Sequence, residues 1–368
     1  MNEVNLRVLD DVAYIGKLDA SNMLSRLVTF SRQCQEAIEI GVAAHLPIDP
    51  SAISNVVISG LGGSAIGGDI LCACLADEMK VPIQVNRNYS LPRYVSPSSL
   101  LFVLSYSGNT EETLRVFETA IERGVPLVCI TSGGRLGELA AEEKKWVIRI
   151  PSGYPPRTAL GYLFFPVLMI LSRAGLIEDK KAQLIETIAL LGEKAEEYGS
   201  SVPVDRNEAK RLAGRLCGLF PLLYASESFS PVARRWKTQI AENAKALAYS
   251  NVFPELNHNE IMGWQGLVQL ETSFTVVILR DKGDLPQIQR RMEISRELIE
   301  SDGLPVIEVW SQGDSPLARL FSLVCLGDFV SFYLAVLRGI DPTPVERIEY
   351  LKRRLVEMES REKRETRR

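Results

Sequence analysis

Short apolar runs alternate with helical patterns along the first half of the chain. The runs are bounded by Gly, Ser or Asn, which is typical of buried strands. The segments between them place apolar residues at helical spacing. Strands of this kind, separated by helices, indicate a parallel sheet that is covered on both faces. The predicted strands are NVVISG, VPIQVNR, SLLFVLSYS, VPLVCITS and KWVIRIP.

The same pattern recurs, more weakly, in the second half. FPLLYAS is an apolar run followed by a polar turn and a helix, FTVVILRD parallels LFVLSYS, and LPVIEVW parallels VPLVCIT. We therefore predict an α/β protein with two doubly wound parallel-sheet domains and helical extensions at both ends. The predicted segments are a helical region 1–50, a first domain 51–175, a second domain 176–342 and a C-terminal helix 343–368.

Composition limits the classes of partner. The chain has 368 residues, 46% of them apolar, and a net charge of −4, so no general attraction to nucleic acid is expected. We identify the run LGYLFFPVLMIL as the longest apolar stretch. It contains a Pro and is shorter than the ~20 residues that cross a bilayer, so no membrane span is expected. These features predict a cytoplasmic protein.

Cysteine and histidine usage gives no support for a metal site. The six cysteines form no CxxC pair, and most lie in apolar runs, which is typical of free thiols in a reducing compartment. His45 and His258 are the two histidines, and neither has a Cys or His partner at ligand spacing. We expect neither a metal nor a cofactor.

The first glycine-rich loop, SGLGGSAIGGD, follows a strand and opens a helix. Gly60, Gly62 and Ala65 fit a dinucleotide-binding fingerprint. Such a site also needs an acidic residue at the end of the next strand, where this chain has residues 86–88, Asn-Arg-Asn. The remaining alternatives are an anion site at the helix N-terminus and a tight turn that needs glycine.

The second loop, SYSGNTEET, carries three hydroxyls at the end of a buried strand. Ser105, Ser107 and Thr110 lie within six residues and precede a helix. A helix cap needs one hydroxyl, whereas three hydroxyls with a glycine fit a phosphate monoester. The capping alternative stays open, but we favour the phosphate. Both loops follow strands of one sheet, and ligands of open α/β sheets bind at that edge.

Three further residues have a context that suggests chemistry. Arg157 stands alone in PSGYPPRTALGYLF, as a surface charge or as a fixed cation of the site. Glu242, in QIAENAKALA, lies among apolar residues, where a carboxylate needs a partner or a function. His258, in PELNHNEIMGW, is structural or catalytic.

These motifs together resemble a known family. GLGGSAIGGD, SYSGNTEET, PPRTALGYL, AENAKALA and PELNHNEIMGW occur in the order found in bifunctional phosphoglucose/phosphomannose isomerases of the sugar isomerase (SIS) domain superfamily. The resemblance runs from about residue 20 to residue 355. It implies two SIS domains, sugar 6-phosphate substrates, no metal, and homodimers whose active sites are shared between subunits.

The resemblance also assigns a substrate-binding set. It implies that the phosphate is held by Ser105, Ser107, Thr110 and the turn Gly63-Ser64.

The remaining residues take catalytic roles by the same resemblance. Arg157 would stabilise the enediolate, and Glu242 would carry a proton between C1 and C2. His258 of the other subunit would assist ring opening, and Lys352 in IEYLKRRL would be a second ring-opening residue. Thr343 would leave space beside C2, so that both epimers are accepted.

Three other functions compete with this one. A SIS-domain sensor that regulates transcription needs a DNA-binding segment, and the first 50 residues are not notably basic. An amidotransferase-type sugar isomerase needs an N-terminal catalytic cysteine, but the first cysteine is Cys34. Another sugar-phosphate isomerase of the same fold stays open.

Overall fold

The structure is a computed structural model that describes residues 5–44, 49–267, 269–270 and 273–365, with side chains as far as residue 358. His45 lies outside the described residues.

The first sheet contains the five strands that the apolar runs predict. All of its strand pairs are parallel, and their order is β2-β1-β3-β4-β5. The central strand β3 is buried along its whole length, as expected for a sheet covered on both faces. The strands are β1 Asn55–Ser59, β2 Ile83–Asn86, β3 Ser99–Leu104, β4 Leu127–Thr131 and β5 Trp146–Arg149.

The second sheet has four parallel strands in the order β7-β6-β8-β9. The predicted pair of parallel α/β sheets is therefore confirmed. One strand, β7, was missed, because it is a half-exposed edge strand whose polar Ser250 and Asn251 interrupt any apolar run. The strands are β6 Phe220–Ser226, β7 Tyr249–Phe253, β8 Phe274–Arg280 and β9 Val306–Trp310.

Helices cover both sheets and form the two extensions. The N-terminal extension consists of α1 Val12–Leu18, α2 Met23–Val28 and α3 Phe30–Ala43. The first sheet carries α4 Gly63–Leu75, α5 Glu111–Glu122, α6 Gly134–Glu142 and α7 Leu160–Arg173. Then follow α8 Lys181–Glu197, α9 Glu208–Leu216, α10 Ser230–Ala244, α11 Trp264–Leu267, α12 Pro286–Ser301, α13 Pro316–Leu337 and the C-terminal α14 Glu346–Glu365.

Helix α13 forms the centre of the core. It packs against α8, α9 and α10, while α3 packs against α7. By length and composition α13 is apolar enough to cross a membrane, but 94% of its most apolar window is buried inside the protein. The sequence analysis did not single out this segment, because Ser322, Asp328 and Ser331 interrupt its apolar run. Asp328 on α13 is paired with Arg235 in this interior, so the helix is a core helix.

Candidate active site

Glycines let three segments meet at the carboxyl edge of the first sheet. Gly62 precedes α4 with a φ of 53°, a left-handed conformation that glycine adopts readily. A Cβ on Gly63 would lie 2.9 Å from the Pro156 carbonyl oxygen and 3.4 Å from the Cα of Arg157. The turn after β1 therefore packs directly on the turn that carries Arg157, and Ser64 beside it is buried.

The hydroxyl loop follows β3 at the same edge. Ser105 is buried and its Oγ donates to Thr110 Oγ1 at 3.0 Å. Thr110 occupies the N-cap position of α5, but its side chain makes no capping hydrogen bond. Ser107 is exposed, and its Oγ accepts from the Asn109 backbone N–H at 3.3 Å. The loop thus gathers hydroxyls at a helix N-terminus without using Thr110 for the cap.

The neighbouring loop after β4 holds the hydroxyl loop in shape. Gly108 has a φ of 70°, and a Cβ there would lie only 1.8 Å from the Gly133 carbonyl oxygen. The Leu136 N–H donates to the Gly108 carbonyl at 2.8 Å, and the Arg135 N–H donates to Asn109 Oδ1 at 3.0 Å. Glycine is required at position 108 because the two loops interlock.

Tyr106 joins the hydroxyl loop to the segment that leads to Arg157. Its hydroxyl donates to the Pro151 carbonyl at 2.9 Å and accepts from the Tyr154 N–H at 2.8 Å. The side chain is buried. Sequence reasoning missed this residue, although an aromatic between two serines of a candidate phosphate loop was a signal.

Arg157 and Glu242 meet between the two sheets. Arg157 Nη1 lies 3.6 Å from Glu242 Oε2, and the side chains are 5% and 29% exposed. Arg157 Nε also donates to Asn243 Oδ1 at 2.6 Å. Burial lowers the pKa of Arg157, while the Glu242 charge opposes that shift. The arrangement is a buried cation beside a carboxylate that solvent still reaches.

The turn that carries Thr343 is clamped onto this pair. Arg157 Nη2 donates to the carbonyls of Pro342 at 2.8 Å and Thr343 at 2.9 Å. Lys245 Nζ donates to the Pro342 carbonyl at 3.2 Å and to the Glu242 carbonyl at 2.5 Å. Within the described part of the chain, the buried Thr343 Oγ1 has no hydrogen-bond partner. The sequence analysis did not single out Lys245, despite its place in the AENAKALA motif.

A buried hydrogen-bond network supports Arg157. Arg235 makes two hydrogen bonds to the Asp328 carboxylate, at 2.9 and 2.7 Å, and its Nη2 donates to the Arg157 carbonyl at 3.0 Å. Asn243 Nδ2 donates to Ser331 Oγ at 2.9 Å. Bidentate Arg–carboxylate geometry is directional, so Arg235 is fixed and holds the Arg157 carbonyl. Asn243, which is fixed by Ser331, holds the Arg157 side chain.

The predicted ring-opening residues lie elsewhere. His258 is exposed and follows the carboxyl end of β7. Glu242 lies near the C-terminus of α10, before the amino end of β7, so the two residues flank opposite ends of that strand. Lys352 is exposed on α14. No hydrogen bond or ion pair between described residues joins either one to Arg157 or Glu242.

The same described residues can be searched for a cluster of metal-ligating side chains, which the sequence analysis does not expect. They contain no group of three or more His, Cys, Asp or Glu side chains that is arranged to hold a metal ion.

Comparison with known proteins relates most of the chain to one group of enzymes. Residues 205–355 match the family described as bacterial phospho-glucose isomerase C-terminal SIS domain. The chain is 44% identical over 337 residues to a bifunctional phosphoglucose/phosphomannose isomerase of Caldicellulosiruptor bescii, covering 91% of this chain and 99% of that one. A protein of the same description from Aquifex aeolicus is 38% identical, with coverage of 83% and 92%. A D-glucosamine-6-phosphate 4-epimerase of Sulfolobus acidocaldarius is 31% identical, with coverage of 62% and 69%.

Solved structures share the architecture at low sequence identity. A glucose-6-phosphate isomerase from Chlamydia trachomatis aligns with a TM-score of 0.74 at 13% identity, covering 96% of this chain and 85% of that one. A hypothetical protein from Thermus thermophilus aligns with a TM-score of 0.72 at 16% identity, with coverage of 95% and 94%. These likenesses establish the fold.

Proposed function

This chain belongs to the bifunctional phosphoglucose/phosphomannose isomerase family, and from that premise we propose how it interconverts glucose 6-phosphate and mannose 6-phosphate with fructose 6-phosphate. The observation that carries the proposal is the contact between Arg157 and Glu242, 3.6 Å apart, beside the two loops at the edge of the first sheet. A fixed cation and a reachable carboxylate are the groups that an aldose–ketose isomerisation needs.

The hydroxyl loop binds the phosphate group in this proposal. Ser105, Ser107 and Thr110 supply hydroxyls, and the N-terminus of α5 adds free N–H groups and a partial positive charge. The turn at Gly63 and Ser64 follows β1, which pairs with β3, and it packs on the segment that carries Arg157. Because the phosphate is remote from C1 and C2, its binding energy serves to hold the reacting carbons in place.

Glu242 transfers the proton. Starting from fructose 6-phosphate, its carboxylate removes a proton from C1, which leaves a cis-enediolate whose negative charge lies on oxygen. The Arg157 guanidinium stabilises that oxyanion. The O1 hydroxyl proton passes to O2, so that the negative charge moves to O1. Glu242 then returns its proton to C2 as the C1=O bond forms, and the aldose results. A positioned base of this kind contributes ~10²–10⁴ in rate.

Thr343 accounts for the acceptance of both epimers. Glucose 6-phosphate and mannose 6-phosphate differ at C2 and share one enediol, so the face of C2 that receives the proton decides the product. Rotation of the intermediate about C2–C3 requires space beside C2. The Thr343 backbone is held by Arg157, and its short side chain is the candidate boundary of that space.

We propose further that the active protein is a homodimer in the cytoplasm, with His258 serving the site of the other subunit and Lys352 acting as a second ring-opening residue. The exposed position of His258, after the carboxyl end of β7, supports this proposal. Helix α14 supports it as well. Its residues Ile348, Leu351 and Leu355 repeat at spacings of three and four, and they are 41%, 58% and 41% exposed, an apolar stripe that a second copy would cover.

Mixed dimers test the shared site. Each of the Glu242→Gln and His258→Asn homodimers should be nearly inactive. A heterodimer of the two, purified with different tags, should regain one working site of two. A heterodimer without recovered activity would mean that each site is built within one chain.

Product identification tests the reaction itself. Purified protein is incubated with fructose 6-phosphate, with and without EDTA, and the products are identified by NMR. Glucose 6-phosphate and mannose 6-phosphate are expected in both conditions. Loss of activity with EDTA would contradict metal independence. A second incubation with glucosamine 6-phosphate covers the epimerase activity named for the relative from Sulfolobus acidocaldarius, and turnover of that sugar alone would overturn the proposal.

A further inference from the structure

The Glu260 carboxylate collects hydrogen bonds from the second sheet. The Tyr224 hydroxyl on β6 donates to its Oε1. On β7, the Tyr249 hydroxyl donates to its Oε2 at 2.9 Å, and Asn251 Nδ2 donates to the same oxygen. One side chain from the loop after β7 is thereby tied to two neighbouring strands.

The hydrogen-bond network of Glu260 extends into the interior of the domain. The Tyr224 hydroxyl accepts from Trp264 Nε1 at 3.1 Å, and both rings are buried. Burial raises the pKa of Tyr224, and the bond to Glu260 adds to that shift, so the phenol remains a donor. Glu260 is thus attached to a buried part of the domain.

His258 lies between two residues whose side chains are hydrogen-bonded to the rest of the domain, Glu260 and Asn257. On its other side, Asn257 Nδ2 donates to Ser295 Oγ on α12 at 2.8 Å. The imidazole itself is exposed. The chain therefore fixes the backbone on both sides of an exposed histidine, which is what a residue needs in order to be presented to another molecule.

We propose that Glu260 is a positioning residue that holds His258 in the orientation needed for ring opening. The inference rests on the proposed role of His258 and adds the group on which that role depends. Glu260 does not touch the substrate. It acts because a displacement of about 1 Å at a catalytic group can cost up to 10²-fold in rate.

A double-mutant cycle tests the inference. Glu260→Ala is expected to lower kcat by about 10- to 100-fold, with KM and inhibition by an open-chain aldonate 5-phosphate unchanged, because that inhibitor needs no ring opening. In a His258→Asn background the same change should cause no further loss. Glu255→Ala is the matched control, since Glu255 is an exposed carboxylate of the same loop that bonds to Asn259 and not to the sheet. It should behave as wild type.

The outcomes separate the two claims. If Glu260→Ala fails to fold, Tyr249→Phe removes one of the three donors and should give a smaller kcat loss with the same pattern. If Glu260→Ala, or Tyr249→Phe in its place, lowers kcat equally in the wild-type and the His258→Asn backgrounds, the positioning role is overturned and the role of His258 is not. Full activity of His258→Asn would overturn the proposed role of His258, and the positioning role with it.

Discussion

Arg157 Nη1 and Glu242 Oε2 lie 3.6 Å apart across the boundary between the two domains. Arg157 follows the last strand of the first sheet, and Glu242 lies on the helix between β6 and β7 of the second. The carbonyls of Pro342 and Thr343 bind the same guanidinium. Three distant parts of the chain therefore have to pack correctly before the cation and the carboxylate meet.

Removal of hydroxyls from the loop after β3 should weaken substrate binding. Ser107→Ala and Thr110→Ala each lose a hydrogen bond to a charged group, worth about 1.5–3 kcal/mol. KM for fructose 6-phosphate should rise about ten- to hundred-fold, with a smaller loss in kcat. Steady-state kinetics measure both. Ser98→Ala, at the amino end of the same strand, is the control and should leave KM unchanged, whereas unchanged KM in all three variants would remove the phosphate role from this loop.

Tyr106→Phe should uncouple the phosphate loop from Arg157. The change deletes the hydroxyl that bridges Pro151 and Tyr154 and keeps the buried ring. We expect a several-fold to tenfold lower kcat with a small change in KM, because the loop before Arg157 loosens while the phosphate hydroxyls remain. Steady-state kinetics give kcat and KM, and a thermal melt shows whether the variant stays folded. A rise in KM with kcat intact would place Tyr106 in phosphate binding instead.

Lys245 should limit activity at alkaline pH. Partial desolvation lowers the pKa of Lys245, and the nearby Arg157 charge lowers it further. The ammonium therefore loses its proton at lower pH than an ordinary lysine, and its hydrogen bond to the Pro342 carbonyl weakens as pH rises through that value. In Lys245→Arg the charge persists, so the alkaline limb of kcat/KM should move to higher pH. Superimposable pH profiles for the two proteins would contradict this role.

Thr343→Gln should change the balance between the two aldoses. A longer side chain would restrict rotation of the enediol, so turnover of mannose 6-phosphate should fall more than that of glucose 6-phosphate. Thr343→Ser is the control and should keep the wild-type ratio. Coupled assays on each aldose give the ratio directly, and an unaltered ratio in the glutamine variant would mean that Thr343 does not border C2.

Local patterns were sufficient for most of the fold. Apolar runs identified β1, β3 and β4 because fully buried strands leave a continuous signal. The edge strand β7 escaped because its exposed face carries polar residues. The domain boundaries at 50, 175 and 342 stay predictions, although each sheet lies inside its predicted segment.

The site was predictable only in part. Loops that follow strands are recognisable by their glycines and hydroxyls, as at Ser105 and Thr110. Contacts made by tertiary packing leave no local pattern in the sequence. The hydrogen bond between Tyr106 and Tyr154 and the one between Lys245 and the Pro342 carbonyl therefore could not be predicted. The roles of His258 and Lys352 stay predictions, because within the described part of the chain neither residue has a hydrogen bond or ion pair to Arg157 or Glu242.

The central claim is that one carboxylate, Glu242, moves the proton for both aldoses. The most direct measurement is NMR of fructose 6-phosphate conversion by wild type and by Glu242→Gln, with the rates of glucose 6-phosphate and mannose 6-phosphate formation followed in one sample. We predict comparable rates for the two products in wild type, and a loss of at least ~10² for both in the variant, which should stay folded. A variant that keeps more than about a tenth of either rate, or a wild type that forms one epimer over about a hundred-fold faster, a gap of ~2.7 kcal/mol, would contradict the claim.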